Sequence, residues 1–196
     1  STSGITTPDI RVDVQKREVE SAVGIPLEIM RKEVLIQTQN QYYYPVDPTS
    51  RNDAFVGGTV SCNASGFIPG EKGATRYWVK EIDFMLLNGF HLNIKRGDYI
   101  SKNGIFIIKY GDSIAELPIP QYKRPDIKNA SGPYSSDNNE IDFIDLIIGS
   151  EGIYGMLLAC KFSMAKRPSD YLELFARLKN EDKAIELHDF LYHYFN

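Results

Sequence analysis

Alternation of apolar and polar residues is clearest in the middle of the chain, between Arg76 and Pro118. Apolar runs in this region are separated by pairs such as Asn88-Gly89 and Asn103-Gly104, whose residues adopt positive φ at low cost and favour hairpin turns. Five strands of one up-and-down meander are predicted: Tyr77–Leu87, Phe90–Lys95, Tyr99–Lys102, Ile105–Tyr110 and Ser113–Pro118. The pattern predicts an antiparallel scaffold.

Two strands of the meander carry different patterns. In the second, Phe90, Leu92 and Ile94 face one side and polar residues face the other, which indicates a sheet with one solvent-exposed face. The strand Ile105–Tyr110 is apolar on both sides, so we expect it to be central and covered on both faces.

The remaining segments complete a mainly β protein of the α+β class. Further strands are predicted over residues 10–15, 33–38, 55–62, 140–148 and 153–164. Helices are predicted over Ser169–Lys179 and Glu181–Phe195. We therefore expect an antiparallel meander that forms a barrel or sandwich over residues 1–166, with an N-terminal arm (1–9) and a long loop (118–139). A C-terminal helical hairpin (167–196) would pack on this domain or on a neighbour.

Composition narrows the range of functions. The chain has 196 residues and a net charge of −4, so its charge argues against non-specific nucleic-acid binding as the main role. It lacks a run of 18 apolar residues, so no membrane span and no membrane partner are expected. Cys62 and Cys160 lie far apart and define no disulfide framework, which favours a reduced, cytoplasmic protein.

Motifs for cofactors and catalysis are largely missing. Neither a Walker loop nor a G-x-G-x-x-G turn occurs, and the histidines and cysteines have no zinc-ligand spacing, so no cofactor is expected. One catalytic alternative is a metal-dependent nuclease, because carboxylates near strands could bind Mg²⁺ and a lysine could support the attacking water. Its candidate residues are Asp142, Asp145, Glu151 and Lys161.

A first resemblance concerns the segments 61–67 and 77–80. With Cys62 and Trp78, they resemble the first cysteine and core tryptophan of an immunoglobulin variable domain, and the resemblance implies a disulfide from Cys62 to Cys160. The separation of the two cysteines is too long for that family, and its approach to the second cysteine is missing. We therefore do not assign the chain to that family.

A second resemblance covers about fifteen residues of the meander. Lys95–Ile100, the turn Lys102-Asn103-Gly104 and the strand Ile105–Tyr110 resemble head–tail joining and neck proteins of tailed bacteriophages. That resemblance implies a small β-barrel or sandwich subunit with long arms, which assembles into a homo-oligomeric ring with other structural subunits in a virion.

The leading prediction is accordingly a non-enzymatic structural subunit, with nucleic acid only as a bystander. Tyrosine and proline side chains of two loops would bury area against partner chains. The predicted interaction residues are Tyr42, Tyr43, Tyr44, Pro120, Tyr122, Pro125 and Tyr134. The alternative to a structural subunit is a β-barrel module that binds single-stranded nucleic acid. A metal-dependent nuclease is the third possibility.

Overall fold

The computed structural model describes residues 2–68, 71–119, 140–170 and 174–195. Its strands are β1 Arg11–Asp13, β2 Glu18–Ala22, β3 Tyr42–Tyr43, β4 Val79–Leu86, β5 His91–Lys95, β6 Ile105–Tyr110, β7 Ser113–Pro118, β8 Gly155–Ser163 and β9 Ala165–Lys166. Its α-helices are α1 Leu27–Gln37, α2 Val56–Ser61, α3 Thr75–Trp78, α4 Phe143–Ile147 and α5 Glu181–Phe195. Antiparallel sheets and a C-terminal helix confirm the predicted α+β class.

A five-stranded antiparallel sheet in the order β1-β2-β8-β4-β5 forms the centre of the fold. Strand β8 lies in the middle, pairing Cys160 with Ser21 on one side and with Ile82 on the other. The two remaining sheets each have two strands, β3 with β9 and β6 with β7. Strand β8 comes last in sequence among the five strands of the large sheet, and it joins the β1–β2 pair to the β4–β5 pair.

Helices cover one face of this sheet, and the other face is polar. Met30 of α1 and Phe143 of α4 are fully buried in the same core as Phe162 of β8. On the opposite face, the Lys161 ammonium donates to the Glu81 carboxylate at 2.9 Å, and the Asn93 amide donates to Glu81 at 3.0 Å. This arrangement confirms the prediction of one solvent-exposed face, which β5 carries in an alternating burial pattern.

The predicted meander is only partly correct. Strands β4 and β5 pair as expected, but β6 and β7 form a separate hairpin. Residues 99–102 contribute isolated bridges at Ile100 and Lys102 instead of a strand. In β6, Phe106 is buried and Ile107 is 56 % exposed, so this strand has one covered face and is not central.

Three predicted strands are helices instead. Residues 33–38 lie largely in α1, residues 55–62 in α2, and residues 140–148 around α4. In α1, the buried residues Leu27, Met30 and Val34 recur at helical spacing, and the β-like run 33–38 contributes only the last of them. Short apolar runs do not distinguish a buried helix from a strand, which explains the errors.

The C-terminal segment differs from the predicted helical hairpin. Helix α5 is present, but residues 169–170 and 174–180 are not helical, and residues 171–173 lie outside the described part of the chain. The side chains from Glu181 to Tyr194 are exposed, apart from a half-buried Leu187. In the described parts of the chain, no helix is long and apolar enough to cross a membrane.

Candidate functional site

A cleft of about 590 Å³ opens beside the small β3–β9 sheet. The loop between α2 and α3 forms a second wall, and the junction of α3 and β4 forms a third. We call it the aromatic cleft, and its lining residues are Tyr43, Pro45, Ile68, Lys72, Tyr77, Trp78, Lys80, Ser163 and Ala165.

The first wall depends on the alternation of side chains along β3. Tyr43 lies opposite Ala165 in the ladder, and both line the cleft. The next residue, Tyr44, faces the core, where its ring lies 5.0 Å from that of Phe162. The Thr38 hydroxyl accepts a hydrogen bond from the Tyr42 backbone N–H at 3.2 Å, which ties β3 to the end of α1.

The third wall presents two aromatic rings from the single turn of α3. The rings of Tyr77 and Trp78 lie 5.0 Å apart at an angle of 67°. The indole N–H of Trp78 donates to the Lys72 carbonyl at 2.7 Å, and the Ser163 hydroxyl donates to the Trp78 carbonyl at 3.3 Å. The first bond holds the buried indole against the loop, and the second ties the backbone of Trp78 to the central sheet.

Buried polar groups fix α3 from below. Asn63 lies in the left-handed region at φ 46°, and its side-chain oxygen accepts from the Arg76 backbone N–H at 3.0 Å. The Arg76 guanidinium, buried in the same place, donates to the carbonyls of Asp145 at 2.7 Å and Ile148 at 2.8 Å. One arginine thus joins the cleft wall to the α4 region.

A close approach at Gly66 holds the loop wall near the strand wall. A Cβ atom at this position would lie 2.4 Å from the backbone nitrogen of Asp47, so only glycine fits without displacement. The Gly66 N–H donates to the Gly73 carbonyl at 2.9 Å, which closes the base of the loop. The loop therefore lies against the segment that follows Tyr44.

The charge of the aromatic cleft is positive. Lys72 and Lys80 are exposed at its walls, and the described lining residues include no carboxylate. Below the wall, burial raises the pKa of Tyr44, so this phenol stays neutral. The cleft thus combines aromatic surface with two ammonium groups on a chain whose net charge is −4.

The predicted tyrosines have three different environments. Tyr43 lines the aromatic cleft, and Tyr42 lies beneath the Arg17 guanidinium at 5.6 Å. Tyr44 is 1 % exposed, so the prediction that it contacts a partner chain is wrong, because the core encloses its ring. The predicted residues Pro120, Tyr122, Pro125 and Tyr134 lie outside the described residues.

Two carboxylates of the nuclease alternative, Asp142 and Asp145, have structural partners, and Glu151 is exposed. Asp142 caps α4 by accepting from the Ile144 N–H at 2.9 Å, and its second oxygen accepts from the Gly97 N–H at 2.7 Å. Asp145 pairs with Arg76 and Arg96. Burial raises the pKa of Asp142. No group of three or more metal-binding side chains occurs within residues 2–68, 71–119, 140–170 and 174–195.

Sequence reasoning did not identify the aromatic cleft. Tyr77, Trp78 and Lys80 belonged to the predicted strand Tyr77–Leu87 and to the rejected immunoglobulin resemblance, and neither indicated a cavity. A usable signal was the adjacent pair Tyr77-Trp78 at the start of an apolar strand. Its partners Tyr43 and Ala165 are distant in sequence, so the pair alone could not predict a cleft.

Comparisons with known proteins give a limited result. No protein-family model matches the chain, and no curated protein does either. Solved structures of alkyldihydroxyacetonephosphate synthase in two crystal forms match it with a TM-score of 0.49, at 15 % and 16 % sequence identity. Each match covers 82 % of this chain and 21 % of the synthase chain, so the chain spans about a fifth of that enzyme's length.

These matches correct two predictions. The matched structures are those of an enzyme, which contradicts the prediction of a non-enzymatic virion subunit and the prediction that the chain is not an enzyme. The nuclease alternative is not pursued, because Asp142 and Asp145 are held by structural partners. A likeness of this degree assigns neither the synthase's activity nor its substrate to the present chain.

Proposed function

We propose that this chain is a ligand-binding part of an enzyme, and that the aromatic cleft binds a planar, anionic small molecule as substrate or cofactor. The observation that carries the proposal is the combination of three aromatic side chains with two lysines around one cavity: Tyr43, Tyr77, Trp78, Lys72 and Lys80.

Size and shape support a small-molecule ligand. A volume of about 590 Å³ lies within the range of roughly 300–1,000 Å³ that is usual for such sites. Aromatic walls favour a flat ring, because stacked and edge-on contacts add about 0.5–1.5 kcal/mol beyond the area they bury. A flexible aliphatic ligand gains less from such walls.

Charge and rigidity support an anion. The ammonium groups of Lys72 and Lys80 have no carboxylate beside them among the described lining residues, so an anionic ligand would supply the missing counter-charge. The wall that carries Trp78 is held by hydrogen bonds to Lys72 and Ser163, so binding requires little reordering there.

Trp78 allows a direct test because it is the single tryptophan of the chain. Its fluorescence is titrated with adenosine 5′-monophosphate, riboflavin 5′-phosphate and pyridoxal 5′-phosphate, each compared with its dephosphorylated form. We expect saturable quenching by at least one phosphate ester and weaker quenching by its neutral counterpart. Absence of saturable quenching by all three esters would contradict the proposal.

Matched charge reversals separate the cleft from general electrostatics. Lys80→Glu should weaken binding of the quenching ester about tenfold, the equivalent of about 1.4 kcal/mol. Lys109→Glu, at an exposed position on the β6–β7 hairpin, makes the same change in net charge outside the cleft and should have little effect. Equal losses in the two variants would place binding outside the aromatic cleft.

A further inference from the structure

A second cavity of about 180 Å³ lies on the α1 side of β3. It shares Tyr43 with the aromatic cleft, so the two cavities are neighbours on either side of this residue. We call it the basic pocket, because four of its lining side chains are cations: Arg31, Lys32, Arg51 and Arg167.

Two carboxylates neutralise this cluster only in part. The Glu28 carboxylate lies 3.7 Å from Arg31 Nε, from Lys32 Nζ and from Arg51 Nε. Asp47 pairs with Arg51 at 2.9 Å and with Arg31 at 3.8 Å. Among the residues that the structure describes, two carboxylates thus face four cations, so the pocket carries a net positive charge.

Arg167 is the cation that connects the basic pocket to the ladder of the aromatic cleft. Its backbone N–H donates to the Gln41 carbonyl at 2.9 Å, which continues the β3–β9 pairing beyond Ala165. Its guanidinium donates to the Asn40 side-chain oxygen at 3.0 Å, and Asn40 has a φ of 63°. Two residues of strand span about 7 Å, so Arg167 lies within the length of one small ligand from the cleft.

We propose that the basic pocket binds a phosphate-class oxyanion, and that the molecule carrying it also places its ring in the aromatic cleft. The inference rests on the proposed function and narrows its ligand to an aromatic compound with an extended, multiply charged arm. Arg167 and Lys32, which is the most exposed partner of Glu28, bind the oxyanion. Arg31 and Arg51 keep Glu28 and Asp47 as partners and hold the pocket's shape.

Binding of inorganic pyrophosphate, measured by isothermal titration calorimetry at low ionic strength, tests the pocket alone. We expect one site in the unmodified chain, and about tenfold weaker binding in each of Arg167→Gln and Lys32→Gln. Lys109→Gln removes one positive charge elsewhere and should leave the affinity unchanged. Absence of binding, or equal losses in all three variants, would overturn the assignment.

The link between the two cavities has its own test. Quenching of Trp78 is compared for adenosine 5′-triphosphate and adenosine 5′-monophosphate. The triphosphate should bind at least tenfold more tightly to the unmodified chain, and Arg167→Gln should abolish that advantage while the monophosphate affinity stays the same. An advantage that persists in Arg167→Gln, or is absent from the start, overturns the link.

The two proposals fail in different ways. Pyrophosphate binding that depends on Arg167, without quenching of Trp78 by any phosphate ester, retains the basic pocket and removes both the aromatic cleft as a ligand site and its link to the pocket. Saturable quenching of Trp78, with no pyrophosphate binding, retains the cleft and removes the basic pocket.

Discussion

Arg76 shows how one side chain can organise a wall of a site without lining it. Its guanidinium is buried and donates to two carbonyls of the α4 region, while its backbone N–H donates to Asn63. Two neighbours in sequence, Tyr77 and Trp78, line the aromatic cleft. The buried Arg76 side chain positions α3, and the adjacent residues Tyr77 and Trp78 line the cleft.

Replacing Arg76 should therefore be costly. Arg76→Leu leaves the Asp145 and Ile148 carbonyls without a donor and removes one partner of the Asp145 carboxylate, and we expect a loss of about 3–5 kcal/mol in the free energy of unfolding. Urea unfolding measures it. Arg11→Leu is the control, because Arg11 is 72 % exposed and 3.9 Å from Glu20, and should cost about 0.5 kcal/mol or less. Similar losses in both variants would contradict this role.

Glu81 makes stability depend on pH. Burial alone would raise its pKa, but hydrogen bonds from Lys161 and Asn93 outweigh burial and lower the pKa below the ordinary 4.5. The unfolded chain therefore binds this proton more readily, and the stabilisation is present above pH 4.5 and lost as the pH falls through the folded-state pKa.

Glu81→Gln should flatten this part of the stability profile. Between about pH 6 and pH 3, the unmodified chain should lose about 0.5–1 kcal/mol more than the variant, as measured by urea midpoints across the series. Glu116→Gln, at an exposed position on β7, serves as the comparison. If the stability of Glu81→Gln falls with pH as steeply as that of the unmodified chain, the pairing of Glu81 with Lys161 does not stabilise the fold.

At the scale of the element, α2 carries two adjacent glycines with opposite roles. A Cβ atom on Gly57 would lie 2.5 Å from Val23 Cβ, whereas a Cβ atom on Gly58 would meet nothing within 4 Å. The first glycine lets the helix approach Val23, which directly follows β2, and the second only adds backbone freedom.

Alanine substitutions at these two positions should move stability in opposite directions. Gly57→Ala should lower the free energy of unfolding by about 1–3 kcal/mol through overpacking. Gly58→Ala should raise it by about 0.5–1 kcal/mol, because alanine loses less entropy in a helix. Thermal unfolding of the two variants measures these changes. A change of the same sign in both would show that the contact with Val23 does not limit how closely α2 packs at Gly57.

The sequence predicted the features that depend on residues close together in the chain. It missed the features that depend on contacts between distant residues. Strands β4 to β7 were found because Asn-Gly and Gly-Asp turns act over a few residues. Helices α1, α2 and α4 were missed because their short apolar runs fit a strand pattern equally well. Only the structure shows that Met30 and Phe143 face a shared core. The aromatic cleft was missed since Tyr43 and Trp78 meet only through β8 and β9, which come late in the chain.

At the scale of the whole molecule, α5 stands apart from the core. Its described side chains, those of residues 181–194, are exposed except for a half-buried Leu187, and none of them belongs to the main hydrophobic cluster. Ending the chain after Pro168 should therefore change the free energy of unfolding by less than about 1 kcal/mol. Urea unfolding of the shortened chain is the measurement, and a loss of several kcal/mol would show that the helix supports the sheet.

The central position of β8 has a consequence for biosynthesis. During translation, β2 and β4 leave the ribosome long before residues 155–163. Each can pair early with β1 or β5, but one edge of each must wait for β8. At about 5–20 residues per second the interval is on the order of seconds, during which two strand edges stay open to other nascent chains. Production of this protein should therefore depend on chaperone capacity, with slow codons between residues 87 and 154 increasing aggregation.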